Sequence, residues 1–183
     1  MEQGFSRFLW RVTASHTLTY FIFGLLAASL FDYRSWFETE SLKGFMVSMD
    51  APQVAAGPAL QLLRGVLFAL VLWPIHQAFL QPERGWLYLW ILFIGLAILG
   101  TAGPSPGSIE GVIYTQLPLF YNVFGLPEVL LQTLAFSLML TQWYRHPTPW
   151  WNRIMIPAIV LIVLMSLLGY MVAAGVIEVP AGN

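Results

Sequence analysis

The apolar runs in this chain are too long and too numerous for the core of a soluble domain. A helix that crosses a bilayer needs roughly 20 mostly apolar residues. Such stretches are read at about 10–31, 57–80, 85–102, 127–143 and 153–176. Composition agrees, since 58% of the 183 residues are hydrophobic and 9% are charged, against about 25% charged in soluble domains. The expected fold is therefore an all-α membrane protein, a bundle of about five transmembrane helices forming one integral membrane domain over residues 1–183. Its first partner is the lipid bilayer. The first apolar stretch has some signal-peptide character, with Arg7 and Arg11 before it and Ala27-Ala28-Ser29 near its end. It is expected to be retained as the first helix.

The fourth span needs separate treatment, because residues 111–143 are too long for one simple crossing and contain Pro118, Asn122, Gly125 and Pro127. Leu126-Pro127-Glu128 reads as a helix start, with Pro in the first turn and a carboxylate where the helix dipole favours it. The stretch before it is expected to be re-entrant or interfacial, the alternative being one long helix kinked at Pro118 and Pro127. Two outer loops are expected, 32–56 and 103–126. The first mixes Tyr33, Trp36, Phe37 and Phe45 with charge, which suits a short amphipathic surface helix. Residues 100–111 hold four Gly and two Pro and read as a turn-rich loop.

Basic residues near helix ends set the orientation. Arg7, Arg11, Arg84, Arg145 and Arg153 share one side if the N-terminus is cytoplasmic, with Arg34 and Lys43 on the other. The acids Asp32, Glu38, Glu40, Asp50, Glu110 and Glu178 all fall on that outer side. This predicts an N-in, C-out protein of a bacterial-type inner (plasma) membrane.

Few polar residues interrupt the spans. Thr13, His16, Thr17 and Tyr20 stand at i, i+3, i+4 and i+7, which puts them on one face of the first helix. A helix–helix seam and the wall of a ligand cavity are both open there. His76 near the end of the second span raises a bis-histidine haem with His16. That signal is weak, and no cofactor and no metal site are expected. Arg64 lies inside the second span, about two turns below its outer end, with Gln61 placed to assist it. Glu128 is its preferred partner, and Glu110 the other candidate. Around Arg64 and Glu128, the residues Tyr114, Gln116, Asn122 and Gln132, with Glu110, are expected to line an outer-leaflet pocket.

Several functions are excluded or weakened. There is no Cys, which removes thiolate metal sites, disulfides and a Cys nucleophile. The net charge is −1 with scattered basic residues, so nucleic acid is not an expected partner. No catalytic motif of the hydrolase, phosphate-loop or zinc-protease kinds occurs. The reading is a non-catalytic accessory protein or complex subunit working through helix–helix contacts, as a homo-oligomer or with other membrane subunits. The alternatives are a small transporter, channel or lipid-binding protein using the outer pocket, and, third, a membrane enzyme on a lipid or quinone.

Overall fold

The computed structural model describes residues 4–100 and 103–177, and among these every regular element is helical. In chain order they are α1 (Phe5–Phe31), α2 (Tyr33–Phe37), α3 (Glu40–Lys43), α4 (Pro52–Leu72), α5 (His76–Leu80), α6 (Gly85–Ile94), α7 (Ile109–Tyr114), α8 (Leu119–Phe124), α9 (Leu126–Arg145) and α10 (Pro149–Ala173). A 3₁₀ turn, Trp73–Ile75, joins α4 to α5, and a wide π-helical stretch, Gly95–Leu99, extends α6.

Among the described residues, four helices are long and apolar enough to cross a membrane: Phe5–Phe31, Pro52–Leu80, Leu119–Arg145 and Pro149–Ala173. The third expected span differs. Its apolar helix runs Gly85–Leu99, which at 1.5 Å per residue is about 22 Å, short of a hydrocarbon core of about 30 Å. The last two residues of the expected 85–102 span lie outside the described residues, as does Glu178 of the expected acidic side.

Elsewhere the differences are in boundaries, and each has a local cause. The second span begins five residues earlier than Gly57, because Pro52 is tolerated in a first turn and Pro58 sits inside the helix. Helix α9 starts at Leu126, with Pro127 in its first turn and Glu128 beside it, but the apolar span that contains it starts earlier, at Leu119. Gly125, at φ −79° and ψ −11°, keeps the chain nearly helical from α8 into α9. The true break is earlier, where Thr115 and Pro118 adopt extended conformations between α7 and α8. Loop 32–51 forms two short helices rather than one, with Tyr33 and Phe37 stacked at 5.6 Å. Arg34 closes it by a bidentate pair to Asp50, both bonds 2.7 Å, on an exposed surface where such pairs contribute little.

The chain packs as two compact units, one made of residues up to Val71 with those from Thr148 on, the other of Leu72–Pro147. In the first, α1 is buried on all sides from Arg11 to Thr17 and packs against α10, where the Trp10 indole N–H donates to Asn152 Oδ1 at 2.9 Å. The end of α10 is capped by Gly175 at φ +71°, while the N–H of Val176 reaches back to the carbonyl of Met171. That is the glycine-dependent Schellman closure. In the second unit α6 packs on α9 through Phe93 edge-on to Phe136 and the Trp90 indole donating to the Leu130 carbonyl at 3.0 Å.

Candidate functional site

The polar residues of the first unit gather where α1 meets α4. Gly65 makes the meeting possible: a Cβ there would stand 2.7 Å from the Thr13 Cα, so only glycine lets the two backbones approach this closely. One turn along, His16 is 3% exposed and its Nε2 lies 3.1 Å from Gln61 Oε1. The amide group of Gln61 donates in turn to the Gly57 carbonyl at 3.2 Å. The Gln61 oxygen is thus the acceptor, and His16 carries its proton on Nε2. Gln61 therefore serves His16, not Arg64 as its neighbourhood in sequence suggests.

Phe68 links this buried pair to the surface. The His16 ring meets it edge-on at 4.8 Å, and the Arg64 guanidinium lies 5.4 Å from its centroid. Such a cation–π contact is worth about 0.5–1 kcal/mol when exposed and about 2 when desolvated. Arg64 itself is exposed, rotated away from the seam onto the face of Leu60, Leu63, Leu67 and Val71. It is also farther along its helix than expected. Because α4 starts at Pro52, Arg64 is about 18 Å from that end and about 12 Å from Leu72 by helix rise. A charge at the centre of a span costs about 2.5–3.5 kcal/mol on insertion scales.

Three hydroxyls beside His16, those of Thr13, Ser15 and Thr17, are buried and have no hydrogen-bond partner. They stand apart from the other helical hydroxyls. Thr19 donates to the Ser15 carbonyl at 2.8 Å, Ser29 to Leu25, Thr133 to Val129, Ser137 to Thr133 and Thr141 to Ser137. That one-turn-back bond is the default for Ser and Thr in a helix. Of the expected polar face, Thr13, His16 and Thr17 are buried and Tyr20 is half-buried, its ring 6.3 Å from His16.

Ser166 of α10 was not singled out by the sequence. Its hydroxyl donates to the Ala55 carbonyl at 2.6 Å and accepts from the Ala59 N–H at 3.2 Å. Those are the two groups an unbroken helix joins directly, and Pro58 lies between them. The ring of a helical proline pushes on the preceding turn, and the serine bridges the strained step. A proline inside a span is the signal that such a bridge is needed, though not where it comes from.

The other expected site residues belong to the second unit. Asn122 is 2% exposed and ties the loop together: its Oδ1 accepts the Gly107 N–H at 3.4 Å and its amide reaches the Leu117 carbonyl at 3.5 Å. Ser108 caps α7 by accepting the Gly111 N–H at 2.9 Å. Glu110, Glu128 and Gln132 are half-buried, while Tyr114 and Gln116 are exposed. His76 Nδ1 faces the Trp73 carbonyl, and its ring stacks on the Trp73 indole at 4.3 Å. Among the described residues no three His, Asp or Glu side chains gather as a metal site. No protein-family model, curated protein or solved structure matches the chain.

Proposed function

We propose that this chain is a non-catalytic subunit of a membrane complex, holding another membrane protein through contacts inside the bilayer. One observation carries the reading: an exposed arginine midway along a bilayer-length helix, set in an exposed apolar face. Facing lipid alone, that guanidinium is unfavourable by a few kcal/mol. Covered by a partner that neutralises it, it becomes a point of specific attachment, as charges buried at interfaces commonly are. We further take the topology as N-in and C-out with α6 as a short fifth crossing, in a bacterial-type inner membrane. The side that gathers Arg7, Arg11, Arg84, Arg145 and Arg153 supports this orientation.

The test is gentle extraction from the native membrane followed by sizing and native mass spectrometry. The expected result is a stable particle holding at least one other polypeptide, which Arg64→Leu strips to the bare chain at undiminished accumulation. Leucine on a lipid-facing helix favours insertion, so lost accumulation would not explain the change. Wild-type protein running as the bare chain would overturn the proposal.

A second reading, a small transporter or lipid-binding protein, draws on the unpartnered hydroxyls of Thr13, Ser15 and Thr17. Buried polar groups without protein partners are satisfied by water or a ligand in most native structures. Here the same mass measurement would instead find the chain, alone or as a symmetric oligomer, carrying a defined small-molecule mass.

A further inference from the structure

We infer that what covers Arg64 is a transmembrane helix of another polypeptide bearing an Asp or Glu at mid-depth; this rests on the subunit function proposed above and names the chemistry of its partner. The inference follows from where the charge can go. Arg64 is about 12 Å from the nearer end of α4 and about 18 Å from the other. Its three-methylene stem covers only about half of the shorter distance. Its guanidinium is held against Phe68, one turn towards Leu72 on the same helix, at 5.4 Å. A lipid phosphate lies outside the hydrocarbon core, so it meets this guanidinium only if the bilayer deforms around it. A carboxylate carried on a neighbouring helix meets it at its own depth.

The surroundings point the same way. The exposed side chains around Arg64 are Leu60, Leu63, Leu67 and Val71, all above half exposed, with Leu63 at 63% and Val71 at 71%. They form a branched apolar ridge with one cation, and the complement is a helix groove with one anion. The geometry suits a bidentate bond, because the planar guanidinium presents paired N–H groups that match a carboxylate. Gln61 is not available to stand in, since its amide is engaged by His16 and Gly57. Away from water, a single such pair contributes both attachment and register. A partner lacking the acid leaves the arginine buried and unpaired, which is the less favourable state.

The experiment is site-specific photo-crosslinking in intact native membranes, with p-benzoylphenylalanine replacing Leu63 or Leu67 in the full chain. The expected product joins the chain to a membrane helix of another polypeptide, attached within one turn of an Asp or Glu. Neutralising that acid should reduce the co-purifying partner at least tenfold, as Arg64→Leu does, while Arg64→Lys keeps most of it. Exchange of the charges, Arg64→Asp with Arg placed at the partner's acid, should restore the complex that either change alone removes. A crosslinked helix without a mid-depth acid would overturn this inference yet leave the subunit function standing. Adducts to lipid, or to a second copy of this chain, would also overturn it. In those cases the composition of the native particle decides separately whether the subunit reading survives.

Discussion

Thr17 and Thr19 are two positions apart on α1 and equally buried, yet their hydroxyls differ in what they do. Thr19 donates to the Ser15 carbonyl at 2.8 Å and lies 3.2 Å from that of His16, whereas the Thr17 hydroxyl has no partner. A buried hydrogen bond contributes a net 0.5–1.5 kcal/mol or so, and an unpaired polar group costs roughly 1–3 kcal/mol. Thr19→Val is therefore expected to lower the thermal midpoint in detergent by an amount equivalent to about 1 kcal/mol. Thr17→Val, nearly the same shape without the hydroxyl, should leave it unchanged or raise it. Equal losses at both positions would mean that water or a ligand satisfies Thr17, and would favour the pocket reading. The sequence marked Thr13, His16 and Thr17 as one face by spacing alone, and they are buried together. It did not distinguish hydroxyls that bond from those that do not, because that depends on side-chain rotamer and not on position.

At the scale of elements, the contact between α4 and α10 turns on the step at Pro58. Ser166 bridges the Ala55 carbonyl and the Ala59 N–H, and three residues further on Gly169 packs against the Ala55 side chain. Removing the bridge by Ser166→Ala leaves two backbone groups poorly paired in an apolar setting, at an expected cost of about 1–3 kcal/mol. Pro58→Ala restores the ladder that the serine repairs, so Ser166→Ala should cost much less in that background. Unfolding of the four variants, followed in detergent, gives the coupling directly; strictly additive losses would count against the bridge. The start of α9 was legible at Pro127 and Glu128, because first-turn preferences are local chemistry. The early start of α4 was not. The step at Pro58 is bridged by a hydroxyl from a helix more than a hundred residues away, which no local signal announces.

For the whole molecule the open quantity is the number of crossings, and it rests on α6. Hydropathy marks the long helices clearly, since an apolar run of bilayer length has few other uses. It marks Gly85–Leu99 as apolar too, but at 15 residues this helix must thin the bilayer or stay shallow. The two possibilities reverse the second half of the chain. If α6 crosses, the loops at 32–51 and 103–108 share the outer side, and the turn at 146–148 is inside. If it does not, the turn at 146–148 emerges outside, with Ser48. The absence of native cysteine makes single substitutions clean reporters. Ser48→Cys and Pro106→Cys are expected to react with a membrane-impermeant maleimide from outside in intact cells, and Glu83→Cys and His146→Cys only after permeabilisation. Labelling of His146→Cys from outside would reduce the count to four and put Arg145 and Arg153 on the outer face, against the charge bias that orients membrane proteins. Mismatch costs only fractions of a kcal/mol per Å, and a crossing α6 would keep Arg84, Arg145 and Arg153 on one side, as the proposed topology expects.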